Sequence, residues 1–301
     1  MIKSPLEPLR SYAMLNLKKI LLPVDYPLAS LAVLHQAATL ARYFHSEIVI
    51  LHVMTAQSHA AGVPEDTREL AGWDLLAAII RQAESRQDPT LGPELEGLPI
   101  RSKLANGEVA LAIVEAAEEE KADLIMMPSH SFTFYQFLLG SVTAKVLHGT
   151  ECPVWTGAHV QESARQKFAI HNVLGSVEFG PRAHLTVSWA DQIAAEFGAR
   201  LTLVNVTASV QLWGPGGSYV DQRWKEELVG NAHQQMTKLQ QETGVNADVI
   251  IGSGDAPTVL SQVANETHAD LLVTGCYPYG GRLRTHGFAI ICAVQNPVLN
   301  V

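Results

Sequence analysis

Short apolar runs alternate along the chain with segments in which apolar residues recur every three or four positions. The runs are rich in Leu and β-branched residues, which is typical of strands buried on both faces of a parallel sheet. In the first half they predict strands at 18–24, 47–53, 99–104, 123–127 and 152–156. Apolar residues at helical spacing predict helices within 31–41, 66–86, 109–117 and 139–148.

The second half repeats this order. Residues 18–25 correspond to 171–178 at an offset of 153, and residues 122–126 correspond to 269–273 at an offset of 147. Two constant offsets that differ by a small deletion indicate a duplicated domain. The repeat predicts strands near 171–177, 200–206, 247–251, 270–274 and 297–301, and helices near 183–197, 220–243, 256–267 and 286–294.

Strands that alternate with helices through right-handed crossovers predict an α/β fold, with one doubly wound open parallel sheet in each repeat. The predicted domains are residues 17–157, the first half, and residues 169–301, the second half. The polar stretch 158–167 between them is the predicted linker.

Composition narrows the class of protein. With 21 Lys and Arg against 30 Asp and Glu, the net charge of −9 argues against a nucleic-acid partner, which requires clustered cations. No apolar stretch approaches the roughly 20 residues of a membrane helix, and the first 16 residues lack the apolar run of a signal peptide. The three cysteines form no disulfide framework, as expected in a reducing compartment. These features predict a cytoplasmic protein.

Five segments of the first half resemble the universal stress protein family. They are Lys-Ile-Leu-Leu-Pro-Val-Asp at 19–25, Ile-Leu-His-Val at 50–53, Ala-Asp-Leu-Ile-Met-Met at 122–127, Leu-Leu-Gly-Ser-Val-Thr-Ala-Lys-Val-Leu at 138–147 and Glu-Cys-Pro-Val-Trp at 151–155. The second half resembles the family more faintly, through Ala-Asp-Leu-Leu-Val-Thr-Gly at 269–275 and through the repeat itself.

The resemblance implies a tandem member with two such domains in one chain. It also implies adenine nucleotide alpha hydrolase-like sheets of strand order 3-2-1-4-5, paired about a pseudo-twofold axis through their last strands. Residues 154–156 and 298–300 are therefore expected to lie side by side. Exposed sheet edges invite aggregation, and pairing within the chain removes two of them.

The resemblance also implies a place for a nucleotide. In nucleotide-binding members the loop after strand 4 reads Gly-x-x-Gly, nine residues, then Gly-Ser or Gly-Thr, so that backbone N–H groups and a helix N-terminus face the phosphates. Strands 1 and 4 diverge at this topological switch point, where open α/β sheets bind ligands. The matching positions are Val24, Asp25, Ile48, Met127, Gly140 and Ser141 in the first half, and Gly275 and Gly287 in the second.

Both loops depart from that pattern. The first half has Pro-Ser-His-Ser at 128–131, then eight residues, then Gly140-Ser141. The second half has Gly-Cys-Tyr-Pro at 275–278, then eight residues, then Gly287-Phe288. Because proline has no N–H to donate, neither half is predicted to hold an intact phosphate cradle.

Several single residues have structural explanations. Asp255, after Gly-Ser-Gly at 252–254, is predicted to cap a helix, and Glu108 is predicted to do the same in the first half. His52 is predicted to be a hydrogen-bonded core residue, and Asp25 either caps the first helix or contacts a ligand. Residues 118–120, three glutamates, are interpreted as a solvated helix end, and 214–217 as a loop tip.

Enzyme signatures are missing from the sequence, which has no Gly-x-Ser-x-Gly, Walker or His-Glu-x-x-His motif. The leading hypothesis is a non-enzymatic, cytoplasmic stress-response protein that binds a small molecule or a protein, without a metal, a nucleic acid or a membrane. It forms a pseudo-dimer within one chain, and association of two chains is left open. The first alternative is a regulator that binds ATP or AMP. The second is a metal-dependent hydrolase that uses cleft histidines such as His130.

Overall fold

A computed structural model of the chain describes residues 15–24, 32–55, 77, 79–81, 91–128, 141–157, 169–208, 211–214, 217–220, 222–275, 278–279, 282–283, 285–294 and 296–301. Most of the helix predicted over 66–86 lies outside these residues, although residues 77 and 79–81 within it are helical. Asp25, His130, Gly140 and Cys276 also lie outside the described residues.

Each of the five strands predicted in the first half is present. The elements are β1 Lys19–Pro23, α1 Ala32–Phe44, β2 Glu47–Met54, α2 Leu91–Leu95, β3 Ile100–Asn106, α3 Val109–Glu120, β4 Leu124–Pro128, α4 Ser141–Gly149 and β5 Val154–Gly157. Apolar residues of α1 and α3 are buried against opposite faces of the strands, as the helical spacing of those residues requires.

The second half has the same order of elements plus two hairpins that sequence reasoning missed. The elements are β6 Asn172–Ser176, α5 Ala183–Phe197, β7 Arg200–Thr207, β8 Gln211–Gly214, β9 Gly217–Val220, α6 Gln222–Thr243, β10 Asp248–Ser253, α7 Ala256–Glu266, β11 Leu271–Thr274, β12 Pro278–Tyr279, β13 Arg282–Leu283, α8 Thr285–Ala293 and β14 Val298–Asn300. The predicted loop tip at 214–217 connects the strands of one hairpin: β8 ends at Gly214, β9 begins at Gly217, and these two residues pair.

All ten predicted strands join in one open sheet of order β10-β7-β6-β11-β14-β5-β4-β1-β2-β3. Numbered from 1 to 5 within each half, the strands follow the order 3-2-1-4-5 twice, and pairing within each half is parallel. The predicted fold class and strand order are therefore confirmed.

The two halves meet through antiparallel pairing of β5 with β14, which confirms the predicted contact of the last strands. Leu299 faces Trp155 at the centre of the pair. On either side, Thr156 Oγ1 donates to Val298 O at 3.2 Å and Asn300 Nδ2 donates to Val154 O at 3.2 Å. The two side-chain bonds are related by the pseudo-twofold axis and add to the backbone ladder.

Helices α1 and α5 pack beside this junction. Their equivalent residues Phe44 and Phe197 lie 5.9 Å apart between ring centroids, and Tyr43 stacks on Phe197 at 4.7 Å. Trp155 is 2% exposed, and its Nε1 donates to Gln36 Oε1 of α1 at 2.8 Å. The buried Trp155 ring thus links the last strand of the first half both to α1 and to the second half.

A carboxylate at the amino edge of each sheet ties strand 4 to strand 1. Asp123 Oδ2 accepts from the N–H groups of Lys18 and Lys19 at 2.8 and 2.9 Å. In the second half Asp270 Oδ2 accepts from those of His171 and Asn172 at 2.7 and 2.9 Å. The Ala-Asp-Leu motif therefore secures the start of strand 1, at the edge opposite the predicted ligand site.

The interpretation of 118–120 as a solvated helix end is wrong for Glu120. Its side chain is 14% exposed and forms ion pairs with Arg101, with Lys103 at 3.1 Å and with Lys19 at 3.5 Å. The hydrogen bond from Arg101 is the largest cause that lowers the pKa of Glu120 to about 2, and Lys103 adds to it. The cations come from β1 and β3, which a helix pattern does not reveal.

We expect Trp155→Ala to lower the free energy of unfolding by about 3–5 kcal/mol, because it leaves a cavity at the junction and an unpaired Gln36. Urea denaturation would measure the loss. The matched control is Trp224→Ala, since Trp224 is 57% exposed, and a change below about 1 kcal/mol is expected. Equal losses in the two variants would contradict the assigned role of Trp155.

We expect Glu120 to contribute stability that is complete above about pH 4.5, the pKa of an unpaired glutamate, and is lost as the pH falls toward 2, because the pKa of Glu120 is depressed in the folded protein. Since Arg101 is 40% exposed and screened, Glu120→Gln should cost on the order of 1–2 kcal/mol at neutral pH. The loss should vanish near pH 2. Glu119→Gln, at a carboxylate that is 66% exposed, is the control and should change little.

Candidate functional site

The candidate site in each half lies at the carboxyl ends of strands 1 and 4, the switch point of the sheet. Strand 1 is followed by Val24 in the first half and by Val177 in the second. The N–H of Val24 donates to Leu51 O at 2.9 Å, and that of Val177 donates to Val204 O at 2.8 Å. The two crevices therefore begin with the same backbone geometry.

Strand 2 supplies a side chain that holds the end of strand 1. His52 Nδ1 lies 3.2 Å from Val24 O, and Asn205 Nδ2 donates to Val177 O at 2.8 Å. Because a carbonyl can only accept, His52 carries a proton on Nδ1 in this arrangement. The predicted hydrogen bond of His52 is confirmed, but the residue is only partly buried and is not part of the core. Its counterpart Asn205 could be found from the repeat offset alone.

In the first half the structure brings three of the predicted residues to this edge. Val24 follows β1, Met127 is buried near the end of β4, and Ser141 begins α4. Thr143, in the first turn of α4, donates from Oγ1 to Pro128 O at 3.3 Å, which holds the helix N-terminus against the end of strand 4.

Ile48 lies elsewhere. It is fully buried at the amino end of β2, in register with Ile20 of β1 and Ile100 of β3. The structure does not bring it to the carboxyl edge, since it is the second of eight residues in its strand. Asp25 and Gly140 are outside the described residues.

The second half places its two predicted glycines differently from the pattern they match. Gly275 directly follows β11, and a Cβ there would lie 2.8 Å from Thr186 Oγ1 of α5. Close packing therefore accounts for this glycine without a ligand. Gly287 is the third residue of α8, which begins at Thr285, so it does not lie before the helix as the nucleotide-binding pattern requires.

The loop after strand 4 of the second half also contains paired backbone. Pro278 pairs with Leu283 and Tyr279 with Arg282 in the β12–β13 hairpin. Backbone groups that pair across a hairpin are not available to a phosphate. Short strands of two residues give no periodic signal, so the hairpin could not be predicted from the sequence.

Two helix starts at the same edge have structural caps, as predicted. Glu108 accepts from Leu111 N at 2.8 Å, and Asp255 accepts from Thr258 N at 3.2 Å. The preceding Gly107 and Gly254 have φ values of 126° and 140°, which explains the glycines in both halves. Lys145 of α4 donates to Glu108 at 2.8 Å and lowers the pKa of that carboxyl.

Chemically reactive groups are sparse in the described part of the chain. The Cys152 thiol donates to Ala122 O at 3.2 Å, and burial, followed by the charge of Asp123, raises its pKa to about 12. Within the described ranges, no three His, Cys, Asp or Glu side chains group as metal ligands. Of the helices described, none is both long and apolar enough to cross a membrane.

Comparison with known proteins identifies relatives of both halves. The family model described as the universal stress protein family matches residues 16–156 and 169–285. Universal stress protein MJ0531 of Methanocaldococcus jannaschii is 31% identical over 140 residues, which cover 46% of this chain and 79% of that protein. Universal stress protein MJ0577 of the same organism is 27% identical over 151 residues, covering 46% of this chain and 92% of that protein.

A solved structure shares the tandem arrangement. A universal stress protein from Archaeoglobus fulgidus DSM 4304 aligns with a TM-score of 0.60 at 21% identity, and the alignment covers 94% of this chain and 95% of that one. At this identity the likeness shows the fold. It extends over both halves, whereas each of the two Methanocaldococcus proteins matches about half of the chain.

We expect Gly275→Ala to destabilise the protein by about 1–3 kcal/mol, because the added methyl group would overlap Thr186 Oγ1. Adding Thr186→Ala should recover most of the loss, as measured by urea denaturation of the double-mutant cycle. Gly180→Ala is the control, since no atom lies within 4 Å of a Cβ at that position. Unchanged stability of Gly275→Ala would argue that packing does not require this glycine.

Proposed function

Because the chain belongs to the universal stress protein family, we propose that it acts as a regulatory binding protein of the stress response and not as an enzyme. The proposed domains are residues 17–157 and 169–301, with one cleft each at the carboxyl edge of the sheet. Neither cleft is proposed to hold a triphosphate tightly. The ligand is a small molecule or a protein surface that is bound without being converted.

The start of α8 is the observation that carries this proposal. A phosphate cradle needs unpaired N–H groups in a glycine-rich loop that leads into a helix N-terminus. In the second half the helix starts two residues before Gly287, and the β12–β13 hairpin uses backbone groups of the loop. Both features support a cleft that has lost the phosphate-binding arrangement.

The first half keeps more of the arrangement. Ser141 opens α4, and the Thr143–Pro128 hydrogen bond holds that N-terminus beside the end of β4. Pro128 offers no N–H at the place where a glycine would offer one. A second candidate function follows from this geometry: Val24, Met127 and Ser141 contribute to a pocket for adenosine or AMP, with ATP as a weaker ligand.

The proposed setting is the cytoplasm, without a metal, a nucleic-acid partner or a membrane. The three cysteines, which form neither a disulfide framework nor a Cys-x-x-Cys pair, support a reducing compartment. The net charge of −9 disfavours a polyanionic partner. Because β5 and β14 already pair within the chain, association of two chains would need another surface.

We expect isothermal titration to show no micromolar binding of ATP, and AMP or adenosine to bind at least as well as ATP. Loss of two charge-assisted hydrogen bonds, at roughly 1.5–3 kcal/mol each, costs two or more decades of affinity. Ser141→Glu should weaken AMP binding at least tenfold and adenosine binding much less, because only AMP carries a phosphate. A carboxylate at a helix start repels phosphate while it suits the helix dipole, so the fold is retained.

The matched control is Gln222→Glu, which makes the same charge change at the start of the remote helix α6. It should alter no affinity. Micromolar ATP binding that Ser141→Glu abolishes and Gln222→Glu does not would overturn the proposal in favour of an ATP-binding regulator. Stoichiometric zinc in the purified protein, together with hydrolysis that chelation stops, would favour the hydrolase alternative.

A further inference from the structure

Three polar side chains form a row across the carboxyl ends of strands 1, 4 and 5 of the second half. Thr274 is in register with Ser176 of β6 and with Asn300 of β14. Two residues earlier in the same strands, Leu174, Leu272 and Val298 pack together in the core that α7 and α8 cover. Since side chains alternate along a strand, the three polar residues face the same side.

The row has hydrogen-bonding capacity that no other described residue fills. Thr274 is 5% exposed and Asn300 is 3% exposed. Asn300 uses Nδ2 to donate to Val154 O, which leaves its Oδ1 directed away from that bond. Three side-chain groups have no hydrogen-bond partner in the part of the chain that the structure describes. They are Asn300 Oδ1, Thr274 Oγ1 and the hydroxyl of half-buried Ser176. Unpaired buried polar groups are rare in folded proteins and require an explanation.

Packing does not provide that explanation. The corresponding residues of the first half are Pro23, Met127 and Thr156, of which two cannot donate a side-chain hydrogen bond and the third donates to Val298 O. The same fold is therefore built with apolar side chains, Pro23 and Met127, in place of Ser176 and Thr274. The polar row is specific to the second half and lies where the strand ends reach its cleft.

We propose that the Ser176–Thr274–Asn300 row binds a small uncharged polyhydroxylated molecule. Hydroxyl groups of the ligand can donate to Asn300 Oδ1 and both donate to and accept from Ser176 and Thr274. Neighbouring strands are about 4.8 Å apart, so the row offers partners to several hydroxyls of one molecule. The row contains no ionisable side chain, which argues against an anion. The inference rests on the proposed function in one respect, that the ligand is held and not converted.

The test is titration of the isotope-labelled full chain with D-ribose and myo-inositol, followed through backbone amide resonances. Saturable shifts are expected at Ser176, Gly275 and Val301 with at least one of the two probes. Thr274→Val, which keeps the shape and removes the hydroxyl, should weaken binding at least tenfold. Thr274→Ser, which restores a hydroxyl, should bind within about threefold of the wild type.

The matched control is Thr202→Val, at another buried threonine, near the amino end of β7. It should change affinity less than twofold. Absence of saturable shifts at 100 mM of either probe would overturn the inference, as would binding that Thr274→Val leaves intact. If Thr274→Val fails to fold, failure of Thr274→Ser to bind would overturn it equally.

Failure of polyol binding can be distinguished from failure of the proposed function. Tight ATP binding would contradict the proposed function and leave polyol binding in the second half unaffected. Absence of polyol binding would refute the row as a site and leave the loss of the phosphate cradle untouched. Turnover of a bound polyol would contradict the non-enzymatic assignment, and with it the statement that the ligand is held unconverted, but would leave polyol binding by the row intact.

Discussion

The antiparallel pairing of β5 with β14 is the interaction on which the rest of the molecule depends. Each half is an open sheet of five strands, and an open sheet leaves unpaired backbone groups at its edges. The junction satisfies two of those edges at once and buries Trp155 against Leu299 and α1. Because it aligns the strands of the two halves, it also fixes the carboxyl edges, and so the clefts, relative to one another.

The two edges of each sheet differ in how similar the two halves are there. At the amino edge, Asp123 and Asp270 make nearly identical pairs of hydrogen bonds to the start of strand 1. At the carboxyl edge, the equivalent residues Met127 and Thr274 differ in chemistry, as do the loops that follow them. The hydrogen bonds that the two halves share thus lie at the amino edge, away from the candidate sites, and the differences between the halves lie at the carboxyl edge.

The sequence predicted the sheet well because strand and helix periods repeat twice at constant offsets, and the helix 183–197 has the predicted bounds. The sequence predicted the candidate site at the carboxyl ends of the strands only in part. The family resemblance assigns Ile48 to the site, whereas Ile48 lies at the amino end of its strand. Glu120 is paired through cations 17 and 19 residues distant, which a helix pattern does not reveal. The row containing Thr274 depends on register between strands 98 residues apart in the chain, from Ser176 to Thr274, which a single sequence does not provide.

Covalent duplication allows the two halves to carry different residues at equivalent positions, whereas association of identical chains does not. A dimer with twofold symmetry must present two identical sites, since each substitution appears on both sides of the axis. In this chain the axis relates Thr156 to Asn300 and Val33 to Thr186, which are different residues in equivalent places. One cleft can therefore keep an apolar surface while the other acquires hydroxyl and amide groups, and the junction stays intact because both sets of changes leave β5 and β14 paired. The proportion of the two candidate sites is then one to one by construction.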